Sequence, residues 1–353
     1  MVQERDLRTG KSVDSTPELH LIFGAGGSKA ILASTGAIAA FELANLNSWR
    51  SIGGVSGGSI VASLTADGAH AKELVWLAMN SDFSQFLKPN LGPLGRFWAF
   101  IRKYRNEAVL KEKGAYSAEP LRRLIDTSVS KWPENLWLVC TDKKFAQIVI
   151  SKDGSLRFDG TVNDGTPLTD DMPSVGQAVS ASCAIPGIID SVELHGQPMF
   201  DGALGPEGAC AIHVPEKLYG ADPSKIVVVD VGEDDIKNSW LLRLLWKIGC
   251  NVNCAPFFGP HISEDDGVIL VQPKITGFHG LKFLLDKLDK WNAIIASYRA
   301  TIDTLVMHGL VTRAKNPKAF GLYDDLDLIP METESRTHCV ECIEKLFASY
   351  GVL

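Results

Sequence analysis

Short apolar runs alternate with helical periodicities along most of this chain. Leu19-His20-Leu21-Ile22-Phe23 is stopped by glycines and predicts a buried strand. Residues 34–46 place Ile38, Phe41 and Leu43 at helical spacing. Ser51–Val55 repeats the strand pattern, and from Ser56 onward Ile60, Val61 and Leu64 open another helix. Further strands are expected at Leu136–Cys140, Ala146–Ile150, Ile226–Val231 and Val268–Val271, and helices at 70–80, 118–128, 174–183, 280–308 and 340–350. Within the 280–308 segment an apolar stripe runs from Leu281, Leu284 and Leu285 to Leu305, the mark of a core-facing helix. Strands alternating with helices predict an α/β architecture with a largely parallel central sheet. The simplest partition is a polar lead-in over 1–17, an α/β core over 18–275, and a helical C-terminal extension over 276–353 packed on that core.

Composition narrows the function classes. The chain has 353 residues, 45% hydrophobic and 22% charged, as in ordinary globular proteins. A net charge of −7 argues against a nucleic-acid partner, which demands a basic footprint, and leaves a membrane surface open. Seven cysteines, an odd number in a long chain, are read as reduced thiols. Cys339-x-x-Cys342, preceded by His338, lacks a second pair at metal-site spacing, so no metal is expected. The charged N-terminus has no apolar signal core, and no stretch reaches the length of a membrane span. The expectation is a cytoplasmic protein, peripheral to a membrane where its substrate requires it.

Three glycine-bearing turns carry candidate chemistry. Gly24-Ala25-Gly26-Gly27-Ser28-Lys29-Ala30 lies between the first strand and a helix. It lacks P-loop spacing, and Lys29 occupies the third position of a dinucleotide fingerprint, so both nucleotide readings are weak. An oxyanion hole remains, because glycines allow close ligand approach and helix N-termini aim N–H groups at developing negative charge. The alternative is a tight turn with no ligand.

Gly54-Val55-Ser56-Gly57-Gly58 matches G-x-S-x-G between a predicted strand and a predicted helix, the context of a nucleophile elbow. A helix-capping serine is the plainer reading. A Ser-Asp-His triad would need a histidine, and of the eight present His261 is the best candidate, while His20 sits inside a strand run. Phe200-Asp201-Gly202-Ala203 delivers an aspartate to a turn at the end of a short strand. Its carboxylate could take the serine proton, or bond its own backbone two residues on.

Together these sites resemble the patatin-like phospholipase family. In that family a G-G-G-x-[KR]-G loop forms the oxyanion hole, G-x-S-x-G carries the serine, and D-G-[GA] carries the aspartate of a catalytic dyad. Here Ala25 and Ala30 stand where two loop glycines are usual, the serine motif is complete, and Asp201-Gly202-Ala203 is an accepted form of the third. Ser180-Ala181-Ser182-Cys183-Ala184-Ile185-Pro186-Gly187 and Thr141-Asp142 are similar to two further family segments. The resemblance spans residues 19 to 232. It implies a three-layer α/β/α fold and lipid acyl ester hydrolysis by Ser56 and Asp201. It further implies an oxyanion hole from the N–H groups of Ala25, Gly26, Gly27 and Gly57, with Lys29, Gly54, Gly58 and Gly202 supporting the motifs. No cofactor is implied, and the partner is a phospholipid or lysophospholipid at a membrane surface. A module with a vestigial site, binding lipid without cleaving it, is the non-enzymatic alternative.

Two segments suit an approach to lipid. Trp240 and Trp246 flank the polar stripe of Arg243 and Lys247, a combination fit for a helix lying in an interface, or for a buried helix with snorkelling cations. Phe97–Arg105 has a similar pattern after a Pro- and Gly-rich loop and could serve as a lid.

Overall fold

The apolar runs become strands because each is covered on both sides. The computed structural model describes residues 18–90, 113–158, 165–168, 172–232, 262–327 and 336–353. The chain opens with β1 (Leu19–Phe23), α1 (Gly27–Leu43), β2 (Trp49–Val55), α2 (Gly57–Ala66) and α3 (Ala71–Asn80). A small ribbon of β3 (Lys88–Pro89) and β4 (Tyr116–Ser117) leads to α4 (Glu119–Ser128). Then come β5 (Leu136–Thr141), β6 (Gln147–Ser151), β7 (Gly154–Phe158), β8 (Thr166–Leu168), α5 (Val175–Ser182), β9 (Val192–Leu194) and β10 (Gln197–Asp201). The remainder holds α6 (His213–Tyr219), β11 (Ile226–Val229), β12 (Ile269–Val271), α7 (Lys287–Met307), α8 (Pro317–Asp327) and α9 (Arg336–Ser349).

The main sheet runs in the order β12-β11-β1-β2-β5-β6-β7-β8. Its centre, from β12 to β5, is parallel, and a meander from β5 to β8 continues it antiparallel. Parallel neighbours need crossover connections, which α1 and α2 begin to supply. Side chains alternate between two cores. Leu21, Phe23, Leu138, Val227 and Val229 point into the larger one with α1, α5 and α7. Ile22, Trp137, Val139, Ile226 and Val228 enter the smaller one, which α6 helps to close. The layers are therefore helix, sheet and helix, and burial on both faces explains why the central strands read as continuous apolar runs.

Two boundaries differ from expectation for local reasons. Helix α1 starts at Gly27, not near residue 34, so the glycine turn is itself a helix N-terminus. Helix α7 starts at Lys287, not 280, because the Asp286 carboxylate caps it by accepting the N–H of Asp289 at 2.7 Å. Residues before that cap form a loop. Leu284 is 71% exposed there and does not belong to a buried stripe. From Trp291 onward the stripe does face the core, and Ser297 Oγ donates to the Ala33 carbonyl of α1 at 2.6 Å. Among the described residues no helix is long and apolar enough to cross a membrane.

Candidate active site

Strand β2 ends at Val55 and releases Ser56 with φ 52° and ψ −128°. For a residue with a side chain this left-handed backbone costs about 1–3 kcal/mol and persists only where neighbours hold it. Three bonds do so. The Ser56 N–H donates to Ser182 Oγ at 2.8 Å, while the Ser56 carbonyl accepts from Ser59 N–H at 2.9 Å and from Ser59 Oγ at 2.5 Å. The flanking glycines are there for space. A Cβ at Gly54 would lie 2.5 Å from Ser59 Cα, and one at Gly58 would lie 2.4 Å from the Phe23 carbonyl oxygen.

The sheet brings Asp201 to the same place. Strand β2 pairs with β5 only as far as Val55 opposite Val139. Beyond that point β10 pairs with β5, with Asp201 opposite Cys140 and Phe200 opposite Thr141. Ser56 leaves the seam where Asp201 enters it, and Ser56 Oγ donates to Asp201 Oδ2 at 2.7 Å. The other carboxylate oxygen, Oδ1, accepts the Ala203 N–H at 2.9 Å. The local turn and the serine contact are thus both made, by different oxygens of one carboxylate, and the turn aims the second oxygen. Gly202 lies close over the sheet, since a Cβ there would be 2.3 Å from the Val139 carbonyl oxygen. The backbone of Asp201 is fixed by its N–H to the Ala184 carbonyl at 3.0 Å and by Thr141 Oγ1 to its own carbonyl at 2.9 Å. Ser56 and Asp201 are 5% and 4% exposed. Burial pushes the Asp201 carboxyl up to about 6, and the bonds from Ser56 and Ala203 offset part of that rise.

Two helix N-termini meet beside this pair. Gly26 and Gly27 adopt φ 147° and 56°, and α1 begins there, next to the start of α2. A Cβ on Gly57 would lie 2.3 Å from the Gly27 carbonyl oxygen, so the two turns touch through backbone alone. Among the described residues no protein acceptor takes the N–H of Gly26, Gly27 or Gly57. Ala25 is different from expectation. Its N–H donates to the Ala209 carbonyl at 2.9 Å, so it is not free to donate to an oxyanion as the sequence led us to expect.

The profile of the patatin-like phospholipase family matches residues 21–207, more than half of the chain. The chain belongs to that family. As a patatin-like phospholipase it is a hydrolase that acts on lipids. Two solved structures are similar to it. VipD from Legionella pneumophila is 13% identical with a TM-score of 0.47, over 95% of this chain and 80% of that one. The type III effector protein ExoU is 16% identical with a TM-score of 0.42, over 89% of this chain and 63% of that one. No curated protein matches the chain.

In this phospholipase the site is braced by residues that sequence reasoning did not single out. Ser182 and Ala184, within the segment similar to the family's, hold the backbones of Ser56 and Asp201 respectively. From outside the family match, Gly280 and Lys282 hold Ser28: its N–H donates to the Gly280 carbonyl at 2.8 Å, and its hydroxyl reaches the carbonyls of Gly280 and Lys282 at 3.0 and 2.9 Å. Lys29 is buried, with its Nζ 6.0 Å from the centre of the Phe278 ring. No local pattern marks these contacts, because all but the Asp201–Ala184 bond span more than a hundred residues of sequence.

The described histidines lie elsewhere. Among the described residues none bonds to Ser56 or Asp201. His20 Nδ1 pairs with Ser51 Oγ at 2.8 Å, part of the way down β1 and away from the elbow. His261, the segment from Trp240 through Arg243 and Trp246 to Lys247, and Phe97–Arg105 all lie outside the described residues. Cys140, Cys183 and Cys210 are buried thiols, with burial raising each well above the usual range.

Proposed function

We propose that this phospholipase cleaves carboxylic esters of phospholipids or lysophospholipids through a Ser56–Asp201 dyad. The observation that carries the reading is the direct bond from Ser56 Oγ to Asp201 Oδ2 at 2.7 Å. In the first half-reaction Ser56 Oγ attacks the acyl carbonyl carbon as its proton passes to Asp201. The carbonyl oxygen becomes an oxyanion and takes hydrogen bonds from the N–H groups of Gly26, Gly27 and Gly57. Each such donor is typically worth ~3 kcal/mol of barrier. Collapse expels the alcohol, which leaves with the proton from Asp201, and the acyl group remains on Ser56. Water then gives a proton to Asp201 and attacks the acyl-enzyme, releasing the fatty acid and restoring the serine.

The raised carboxyl supports this assignment. A group near pH 6 is ionised at neutral pH and is more basic than an ordinary aspartate, which suits a general base. On this reading residues 18–275 carry the chemistry and the helices after 276 brace it. The Trp240–Lys247 segment, with Arg243 between its tryptophans and Lys247 directly after them, is assigned to contact with the lipid surface.

A fluorophosphonate probe tests the nucleophile, and fatty-acid release from a mixed phospholipid extract tests the substrate class. The expected result is a single adduct on Ser56 and free fatty acid among the products. A folded protein that takes no label at Ser56 contradicts the reading and favours the non-catalytic lipid-binding alternative.

A further inference from the structure

We infer that the turn 142–146 and the loop Leu204–Pro206 form a seat for the phosphate-bearing headgroup of the substrate lipid, with Lys144 reading its charge. This rests on the acyl-hydrolase reading of Ser56 and Asp201. A cavity of about 560 Å³ opens to solvent between these two segments, lined by Lys144, Phe145, Arg157, Leu204, Gly205 and Pro206.

Its position follows from the sheet. The loop leaves Asp201 directly through the turn Gly202–Leu204, so one wall begins three residues from the proposed base. The opposite wall leaves the end of β5, the strand with which β10 pairs at Cys140 and Thr141. In a glycerophospholipid the phosphate is only a few bonds from the acyl ester. A seat for it must therefore lie near the dyad, and the cavity wall at Leu204 follows Asp201 by three residues along the chain.

The turn is built to be rigid. Asp142 Oδ1 accepts the N–H groups of Lys144 and Ala146 at 2.7 and 3.0 Å, and Oδ2 accepts Arg157 Nε at 2.9 Å. The Asp142 N–H donates to the Ala146 carbonyl at 3.0 Å. This arrangement leaves Phe145 at φ 63° and 43% exposed, an aromatic held in a costly backbone with its ring at the cavity. Strain retained in a tightly bonded turn points to a functional demand.

The charges are unequal. Asp142 and Arg157 offset one another as an ion pair, which leaves the exposed Lys144 as the excess charge of the lining. Glu207, the next acid along the loop, is turned toward His213, with a carboxylate oxygen 3.4 Å from its Nδ1. An ammonium acts as a compact point charge for phosphate, and Phe145 offers an apolar surface to the rest of a headgroup. Behind Gly205 lies a second polar feature. Gln147 is buried with both amide atoms unpartnered in the structure, and its Cγ is 2.3 Å from where a Gly205 Cβ would be. Buried amides without partners are uncommon, and this one backs the cavity wall. The mixed lining suits a headgroup and not an acyl chain.

The test compares lysophosphatidylglycerol with a monoacylglycerol of the same chain length, on wild type, Lys144→Ala and Lys144→Glu. The readout is the ratio of the two kcat/KM values. Losing a hydrogen bond to a charged group should lower that ratio about tenfold for Lys144→Ala, and further for Lys144→Glu. A parallel calorimetric titration of the Ser56→Ala protein uses glycerophosphoglycerol and inorganic phosphate, each with and without Lys144→Glu. Uptake of the diester that disappears with Lys144→Glu supports the seat. An unchanged kcat/KM ratio overturns it, as does uptake of inorganic phosphate that the diester cannot displace. Should wild type hydrolyse neither ester, the acyl-hydrolase reading fails, and the titration alone judges the seat. Absence of Lys144-dependent diester uptake then overturns it as well.

Discussion

At the residue scale the site turns on one buried carboxylate. In the proposed dyad Asp201 is ionised to accept the Ser56 proton, and burial holds its carboxyl at about 6. The kcat/KM for a soluble ester should therefore rise about tenfold per pH unit below pH 6 and level off above it. A profile still flat at pH 5 would contradict this role. The same shift has a stability cost of opposite sense. A carboxyl raised in the folded state contributes most below about pH 4, and that contribution is lost as pH rises through 6, by up to about 3 kcal/mol. Asp201→Asn removes the buried charge, so its urea midpoint should exceed that of wild type at pH 7.5 and converge with it at pH 4. A second prediction concerns Ser182, which accepts the Ser56 N–H. Ser182→Ala leaves that buried N–H without a partner, costing about 1–3 kcal/mol. The elbow should loosen, kcat should fall roughly tenfold, and KM should change little, as steady-state kinetics on one ester will show. Ser56 and Asp201 are legible in sequence because their motifs encode backbone demands, glycines for space and a turn-forming Asp-Gly pair. Ser182 is not, because Ser180 is just as plausible on paper. Only the fold distinguishes them: the hydroxyl of Ser180 has no partner among the described residues, and that of Ser182 holds the elbow.

At the scale of elements, two helix N-termini and one loop from the C-terminal third are stacked against each other. Gly57 touches Gly27, Gly27 lies against Gly280, and Ser28 binds the carbonyls of Gly280 and Lys282. Gly57→Ala should part the two turns and lower kcat by about 10²-fold, the order expected when a preorganised oxyanion donor is misplaced. Equal kcat in a folded Gly57→Ala protein would remove Gly57 from the proposed hole. The strands were readable from their apolar runs, but the loop before α7 was not. Leu281, Leu284 and Leu285 continue the helical stripe in sequence, and periodicity cannot register that Asp286 caps the helix behind them. The Trp240–Lys247 segment yields a separate expectation. Replacing Trp240 and Trp246 with Ser should weaken liposome sedimentation while sparing hydrolysis of a short soluble ester. Parallel loss of both would indicate that the segment packs in the core.

At the scale of the molecule, the meeting of Ser56 and Asp201 is a consequence of sheet topology. Strand β2 stops one residue short of Ser56, and β10 takes over the vacated edge of β5 so that Asp201 arrives beside it. Alternation of strand and helix made the α/β class readable, but no local pattern could reveal that an antiparallel strand from 145 residues downstream fills that seam. The central claim is that Asp201 takes the proton itself, with no histidine between. The measurement is kcat on one soluble ester for Ser56→Ala, Asp201→Asn and the eight single His→Gln variants, with folding checked by circular dichroism. Ser56→Ala and Asp201→Asn should each lose at least ~10³ in kcat. Every histidine variant, His261→Gln included, should stay within about tenfold of wild type, or ~1.4 kcal/mol of barrier. A folded histidine variant as inactive as Asp201→Asn would contradict the dyad and establish a Ser-Asp-His esterase in its place.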